Sequence, residues 1–436
     1  MDRLMLWSLL LLAFSTLLYA NPMVPSRSVN AVDFGVVADG LTPASDALQQ
    51  AIAGTGGGGG VVHLPAGVMV LDKTVTIPEN VLLLGEGACW ENTTSTFHVK
   101  HRDGPAFKLM SYCGIKGVGI YYPDNLTDEK MITPDQYPPA VELWGCNVTL
   151  EYINFDGPWI AVSTAPGGAN AGQCLFSNIN GFAHHRGFHM SGGMDINRFE
   201  NIHWFPSRLN PAGSYARDNL VAFEFGRQDG VMMTNCFIIG GKTFFHQLQH
   251  GDDGKYAPSL GYSIYGCWIE AVDYGFIFEG VCGFNIIGGN ILIRKGGTGI
   301  KVYPECLAWN ALISGVQIRG FGGDQPFVGI DYDMQQQYWT PNGHNKLTIT
   351  DCVIQNGMPA IRLGSKSVRT FIRGNLLMGA EGYPAIQVDE GADLFTITDN
   401  ILQQRPSGET EQPPVIVDNS GEVQKVLRDN LVEEPD

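Results

Sequence analysis

The sequence predicts an all-β solenoid, a parallel β-helix in which short strands wind into stacked coils. Three observations carry that prediction. One phrase recurs along the chain, and each unit holds three short runs with a period of two. In addition, 55 glycines accompany a charged fraction of only 16% in 436 residues. Scarce charge with abundant Gly favours many short strands joined by tight turns. An apolar content of 44% is enough for a sizeable core.

The phrase is an apolar residue, a spacer, a small residue, then Asn, Cys or Gly, a spacer and an apolar residue. Copies are Ile264-Tyr-Gly-Cys267-Trp-Ile, Ile349-Thr-Asp-Cys352-Val-Ile, Ile372-Arg-Gly-Asn375-Leu-Leu and Ile397-Thr-Asp-Asn400-Ile-Leu. The Asn/Cys/Gly position forms a column at 178, 201, 236, 267, 289, 315, 352, 375, 400 and 430, a unit of 22–26 residues where no insertion lengthens it. The cleanest unit reads Ala360-Ile-Arg-Leu363, Thr370-Phe-Ile-Arg373 and Leu376-Leu-Met378. Three strands per unit with no helices between them close a tube whose coils stack at about 4.8 Å. The column residue sits at a bend, where Asn can bond its neighbours above and below and Cys or Gly is small enough to fit.

Ahead of the coils, residues 44–53 have a helical apolar spacing at 47, 48, 51 and 52, with Ser45 as the capping residue. This helix is expected to close the amino-terminal end of the tube. Gly56 to Gly60 is a tight turn into a strand, with no Lys-Ser/Thr after it to make a phosphate loop. Further upstream, Leu4 to Leu18 is apolar and ends at Tyr19-Ala20. It is short for a membrane span and fits the core of a secretory signal. The expectation is a signal peptide over 1–20, a secreted chain, one β-helix domain over 21–436, and no membrane partner once the signal is removed. The net charge of −17 argues against nucleic acid as a partner. Nine cysteines leave at least one unpaired, and those at 236, 267 and 352 are expected as buried free thiols in the bend column.

The opening Val32-Asp-Phe-Gly-Val-Val-Ala-Asp39-Gly-Leu-Thr42, then Ala47-Leu-Gln-Gln-Ala-Ile52 and Gly58-Gly-Gly-Val-Val-His-Leu64-Pro-Ala-Gly67, resembles that of the pectate-lyase-like superfamily. Polygalacturonase-related proteins and phage tailspikes share it. The resemblance implies a right-handed parallel β-helix and carbohydrate chemistry; it leaves room for a homotrimer, common in tailspike-like relatives, which the sequence itself does not show. The polygalacturonase signatures Asn-Thr-Asp, Asp-Asp, Gly-His-Gly and Arg-Ile-Lys are absent, as is the Trp-Ile-Asp-His of pectate lyases; Trp268-Ile-Glu270-Ala only echoes it.

A site is sought where one strand aligns across coils: Gly187-Phe-His-Met190, Ala222-Phe-Glu-Phe225, Gly275-Phe-Ile-Phe278, Gly299-Ile-Lys-Val302, Gly329-Ile-Asp-Tyr332, Ala360-Ile-Arg-Leu363 and Ala385-Ile-Gln-Val388. Apolar residues flank each middle position, so the middle residue faces out. The outward row reads His189, Glu224, an unassigned coil near His246, Ile277, Lys301, Asp331, Arg362 and Gln387. Glu279, Tyr303 and Asp333 form a second row two residues on. Insertions at 121–139, 203–220 and 403–414 precede this strand, and those at 247–260 and 334–345 follow it, which makes a trough. They carry Trp204, Tyr215, Tyr256, Tyr338 and Trp339 for stacking on sugars, with packing under the loops as the alternative.

Two chemistries fit a polysaccharide in this trough. A hydrolase would pair Glu224 with Glu279 or Asp331 as acid and base at glycosidase separations. A lyase would use His189 or Lys301 as the base at the carbon beside a uronate carboxylate. Arg362, or a Ca²⁺ held by acids, would then neutralise that carboxylate. Tyr303, Trp204 and Trp339 would contact the substrate. The sequence itself requires no cofactor. The alternative function is a non-catalytic β-helix that binds glycans or forms part of an adhesive surface, its charged row merely solvating a sheet.

Overall fold

A computed structural model describes residues 27–433 apart from 90–91, 168–169, 206–212, 252–253, 256, 281–282, 307–309, 324–325, 334–345 and 406–412. Each strand pairs in parallel with the equivalent strand of the next coil, which makes three long sheets around one tube. In a carboxy-terminal coil, Thr370–Arg373 lies on the first sheet, Leu376–Gly379 on the second and Ile386–Val388 on the third. Their partners one coil on are Phe395–Thr398, Ile401–Gln404 and Ile416–Asp418. The one antiparallel pair among the described strands is Ala88–Cys89 with Asn92–Thr93.

Period two puts every second side chain inside the tube. Ile372, Ile397, Leu377, Leu402, Ile361 and Ile386 are all fully buried. Burying each such side chain contributes about 1.5–3 kcal/mol. The middle of the chain fills the tube with rings instead, Phe188 stacking flat on Phe223 with centroids 5.5 Å apart.

The bend between the first and second sheets is made by two adjacent residues, and the sequence column mixed them. Asn201 pairs across coils with Asn235, not Cys236, because His203 lies opposite Phe237 and Glu200 opposite Thr234. The first of the two residues turns through the left-handed region, as at Asn178, Asn201, Asn235, Asp351 and Asp399, with φ between 52° and 59°. Asn, Asp and Gly tolerate that conformation best. The second residue is buried: Ile202, Cys236, Cys267, Cys352, Asn375 and Asn400. Positions 178, 201 and 315 thus belong to the turning column, 236, 267, 352, 375 and 400 to the buried one, and 289 and 430 hold the same second position half-buried. Cys236, Cys267 and Cys352 are free thiols, as expected. The Asn ladder is present at the end of the tube. Asn375 Nδ2 donates to Asn400 Oδ1 at 2.9 Å, and Asn400 Nδ2 to Asn430 Oδ1 at 2.9 Å.

The capping helix spans Ser45–Gly54 and buries Leu48, Ala51 and Ile52. Ser45 does not cap it; Ala44 holds that position, and the Ser45 hydroxyl accepts from the amides of Asp72 and Lys73 at 3.1 and 3.3 Å. That hydroxyl ties the helix to the coil beneath.

Candidate functional site

The third sheet holds the outward row in continuous register. His189 lies opposite Glu224, Glu224 opposite His246, His246 opposite Ile277 and Ile277 opposite Lys301. Lys301 then pairs with Asp331, Asp331 with Arg362, and Arg362 with Gln387. Toward the amino terminus the row continues through Ser163, Glu142 and Lys108. The strand enters on a small residue for a steric reason. A Cβ on Gly275, Gly299 or Gly329 would sit 2.2–2.6 Å from a carbonyl oxygen of the next coil.

The row divides at Ile277. On its amino-terminal side, Glu224 is only 7% exposed and Oε2 lies 2.7 Å from His189 Nδ1, which donates to it. Arg186 Nε is 2.7 Å from the same oxygen, but its N–H is not aimed at it, so the contact is ionic rather than a directed hydrogen bond. His246 Nδ1 stands 3.9 Å from Glu224 Oε1, and its Nε2 is 3.0 Å from Glu279 Oε1 without a directed hydrogen bond. Burial pushes the Glu224 carboxyl up, and the His189 hydrogen bond with the Arg186 charge overcomes it, holding the group down at about 2. Glu224 is therefore an anion that fixes His189 by a hydrogen bond and lies within ionic reach of His246. Arg186 is itself anchored by donating Nη1 to His185 O at 2.9 Å.

An aromatic wall flanks this cluster. Trp159 stacks on His185 at 4.4 Å and 12°, and Tyr215 leans on Trp159 at 5.2 Å. Burial, with Arg186 beside it, lowers His185 to about 4, so its ring is neutral at pH 7. Tyr215 belongs to the short helix Tyr215–Asn219 within the predicted 203–220 insertion. Arg294 holds that helix down by donating to Arg217 O at 2.9 Å and pairing with Asp273 at 3.1 Å.

On the carboxy-terminal side the groups form an ionic ladder. Arg362 bridges Asp331 at 2.8 Å and Asp389 at 2.5 Å. Lys301 lies 3.9 Å from Asp331 and 4.7 Å over the ring of Tyr303. Burial, then Glu279 and Asp331, raises the Tyr303 hydroxyl, which stays protonated.

His189, Glu224 and Glu279 thus meet in one cluster, and Lys301, Asp331, Arg362 and Tyr303 in another. Trp204 is a correction. It is fully buried, the last residue of the strand Gly193–Trp204, and packs on Phe188 at 5.9 Å rather than facing the trough. Its alternation with Ile202 points it inward. Trp339, Tyr338 and Tyr256 lie outside the described residues. The outward position of His246 is not legible in the sequence because Gln247 fills an inward slot with an amide. Gln247 is fully buried, and its Oε1 accepts from Gly280 N at 2.6 Å. Arg186 was missed because it lies outside the aligned run. Among the described residues no group of three or more His, Cys, Asp or Glu is arranged to hold a metal ion, so the acids of the row form no Ca²⁺ cage there.

A family profile described as rhamnogalacturonase A/epimerase, pectate lyase-like, matches residues 28–105. No curated protein matches the chain. Among solved structures, the pre-mature gene product 12 of bacteriophage phi29 is similar at a TM-score of 0.58 and 12% identity, over 87% of this chain and 57% of that one. An exopolygalacturonase of Thermotoga maritima is similar at 0.45 and 13% identity, over 92% and 93% of the two chains. A mannuronan C-5 epimerase A-module of Azotobacter vinelandii is similar at 0.45 and 13% identity, over 94% and 100%. At these identities the likeness is one of fold.

Proposed function

We propose that this parallel β-helix, whose residues 28–105 match a rhamnogalacturonase A/epimerase, pectate lyase-like profile, is a secreted enzyme that cleaves a uronate-containing polysaccharide by β-elimination. The observation that carries this reading is the chain of contacts His189–Glu224–His246–Glu279, one apolar rung away from Lys301. A uronate ring laid on Ile277 would have an imidazole on one side and an ammonium on the other, about 10 Å apart across two coils.

In this reading Lys301 neutralises the uronate carboxylate, which makes the adjacent C5 proton removable. His246 takes that proton, and its new positive charge is stabilised by Glu224 and Glu279. The C4–O glycosidic bond breaks, a C4=C5 double bond forms, and Tyr303 returns a proton to the leaving oxygen. Hydrolysis by a carboxylate pair is disfavoured by Glu224 itself. A carboxyl held at about 2 is ionised throughout the neutral range and cannot serve as the general acid. Secretion is part of the proposal and rests on the apolar segment Leu4–Leu18.

The test is one time course on polygalacturonate and alginate, read for reducing ends and for the ultraviolet absorbance of an unsaturated product. Both signals rising together are expected, and both should vanish in His246→Asn. Reducing ends without absorbance would overturn β-elimination in favour of hydrolysis. Tight binding with no product on any uronate polymer would favour a glycan-binding β-helix.

A further inference from the structure

A second polar concavity lies on a different face of the tube. On the second sheet the outward residues Leu292, Arg319 and Gln355 stand in register on successive coils. With Met378, Asn356 and Arg405 they line a cleft of about 360 Å³. Arg319 is exposed and has no acidic partner among the described residues. In a chain of net charge −17, an exposed guanidinium without an acidic partner among the described residues offers a local anion site.

Asn356 adds a second, independent observation. It is 5% exposed, yet its side chain has no hydrogen-bond partner among the described residues. Its φ is 70°, and it falls where the register slips between Ile354 and Gly357. A bulge of this kind re-aims a side chain, here one that lines the cleft. The amide atoms of Asn356 are not among the buried unpartnered ones, so they reach solvent at the cleft and can bond a ligand there.

We propose that this cleft binds one acidic sugar unit of a glycan, on a different face of the tube from the outward row of the third sheet. The chemistry is that of a uronate rather than a bare anion. The guanidinium fork of Arg319 matches a planar carboxylate. The amides of Gln355 and Asn356 suit ring hydroxyls. Leu292 and Met378 offer an apolar floor for a C–H face, which inorganic sulfate or phosphate would not use. The assignment stands on the cleft alone and does not need the third sheet to be catalytic.

Hydrogen–deuterium exchange on the full chain separates the two places. The probes are trimers of galacturonate, mannuronate and guluronate, with a neutral glucose trimer and inorganic sulfate as controls. At least one uronate trimer is expected to slow exchange in peptides covering 317–323 and 353–358. Arg319→Gln should raise the half-saturating concentration for that protection about tenfold. Protection at 186–190, 221–225 and 243–247 should be unchanged in the same variant. No protection of the cleft by any uronate, equal protection by sulfate or the neutral trimer, or indifference to Arg319→Gln would each overturn the proposal. Loss of protection only around 221–247 would instead count against the reading of the third sheet.

Discussion

On one side of Ile277 the outward row crowds two imidazoles and a guanidinium around a carboxylate that is 7% exposed. On the other side the same position of the coil alternates Lys301, Asp331 and Arg362, each between 16% and 34% exposed and paired with an opposite charge. The backbone is the same in both halves, and the difference lies in the burial of one carboxylate, since Arg186, His189 and His246 at 18–19% are about as exposed as Asp331 at 16%. Glu224, largely screened from water, is held by one directed hydrogen bond from His189 and by the charge of Arg186, and its ordinary protonation is displaced. Where water has more access, Arg362 donates to Asp331 and Asp389, and such part-exposed pairs contribute little. A polar row on a β-helix therefore does not announce a site by its composition; the desolvated carboxylate does.

The sharpest way to break this comparison is at the imidazole cluster. Glu224→Gln or His246→Asn is expected to lower kcat by about 10²–10⁴-fold, the range of a lost general base or its orienting anion. A decrease below threefold, measured on a uronate polymer, would erase the distinction between the halves. Next is the boundary itself: Lys301→Met should cost about 10²-fold in kcat/KM if Lys301 faces the substrate carboxylate. A loss no larger than that of Asp331→Asn would assign Lys301 to the ladder instead.

Stability offers a third test. The Glu224 carboxyl sits at about 2 in the fold against an ordinary 4.5. Its folded value is depressed, so its contribution of about 3 kcal/mol is fully present above pH 4.5 and is lost as pH falls through about 2. The Tm difference between the wild type and Glu224→Gln should accordingly shrink across that window and stay flat above it. The smallest effect belongs to Asp331→Asn, with less than about 1 kcal/mol in denaturant unfolding because Arg362 is 34% exposed and keeps Asp389. Its kcat should stay within twofold of the wild type.

Much of this was legible in the sequence, and the failures have physical reasons. The period-two pattern identified the outward row from His189 to Gln387 because inward slots are apolar almost everywhere. It stalled at His246, where Gln247 satisfies its amide inside the tube and so mimics an outward residue. The bend column was one residue out of phase in places, since Asn suits both the left-handed turn at Asn201 and the buried ladder at Asn400. The sequence places Trp204 in the trough because it falls within the 203–220 insertion. The strand in fact runs on to that residue, and Gly187 leaves room for the ring; a Cβ there would lie 2.6 Å from it. Arg186 was unreadable because its role depends on reaching sideways to Glu224 in the next coil.

The entry glycines of the third sheet carry a wider consequence. By letting each coil settle against the carbonyls of the next, they fix the outward row as a ruler with marks about 4.8 Å apart. A polymer lying along it meets those marks as a vernier. A sugar repeat commensurate with them keeps every ring in phase, whereas a mismatched one drifts off within a few units. Preference for a glycan would then be set partly by pitch, and substitutions along the row would retune the marks without moving the scale.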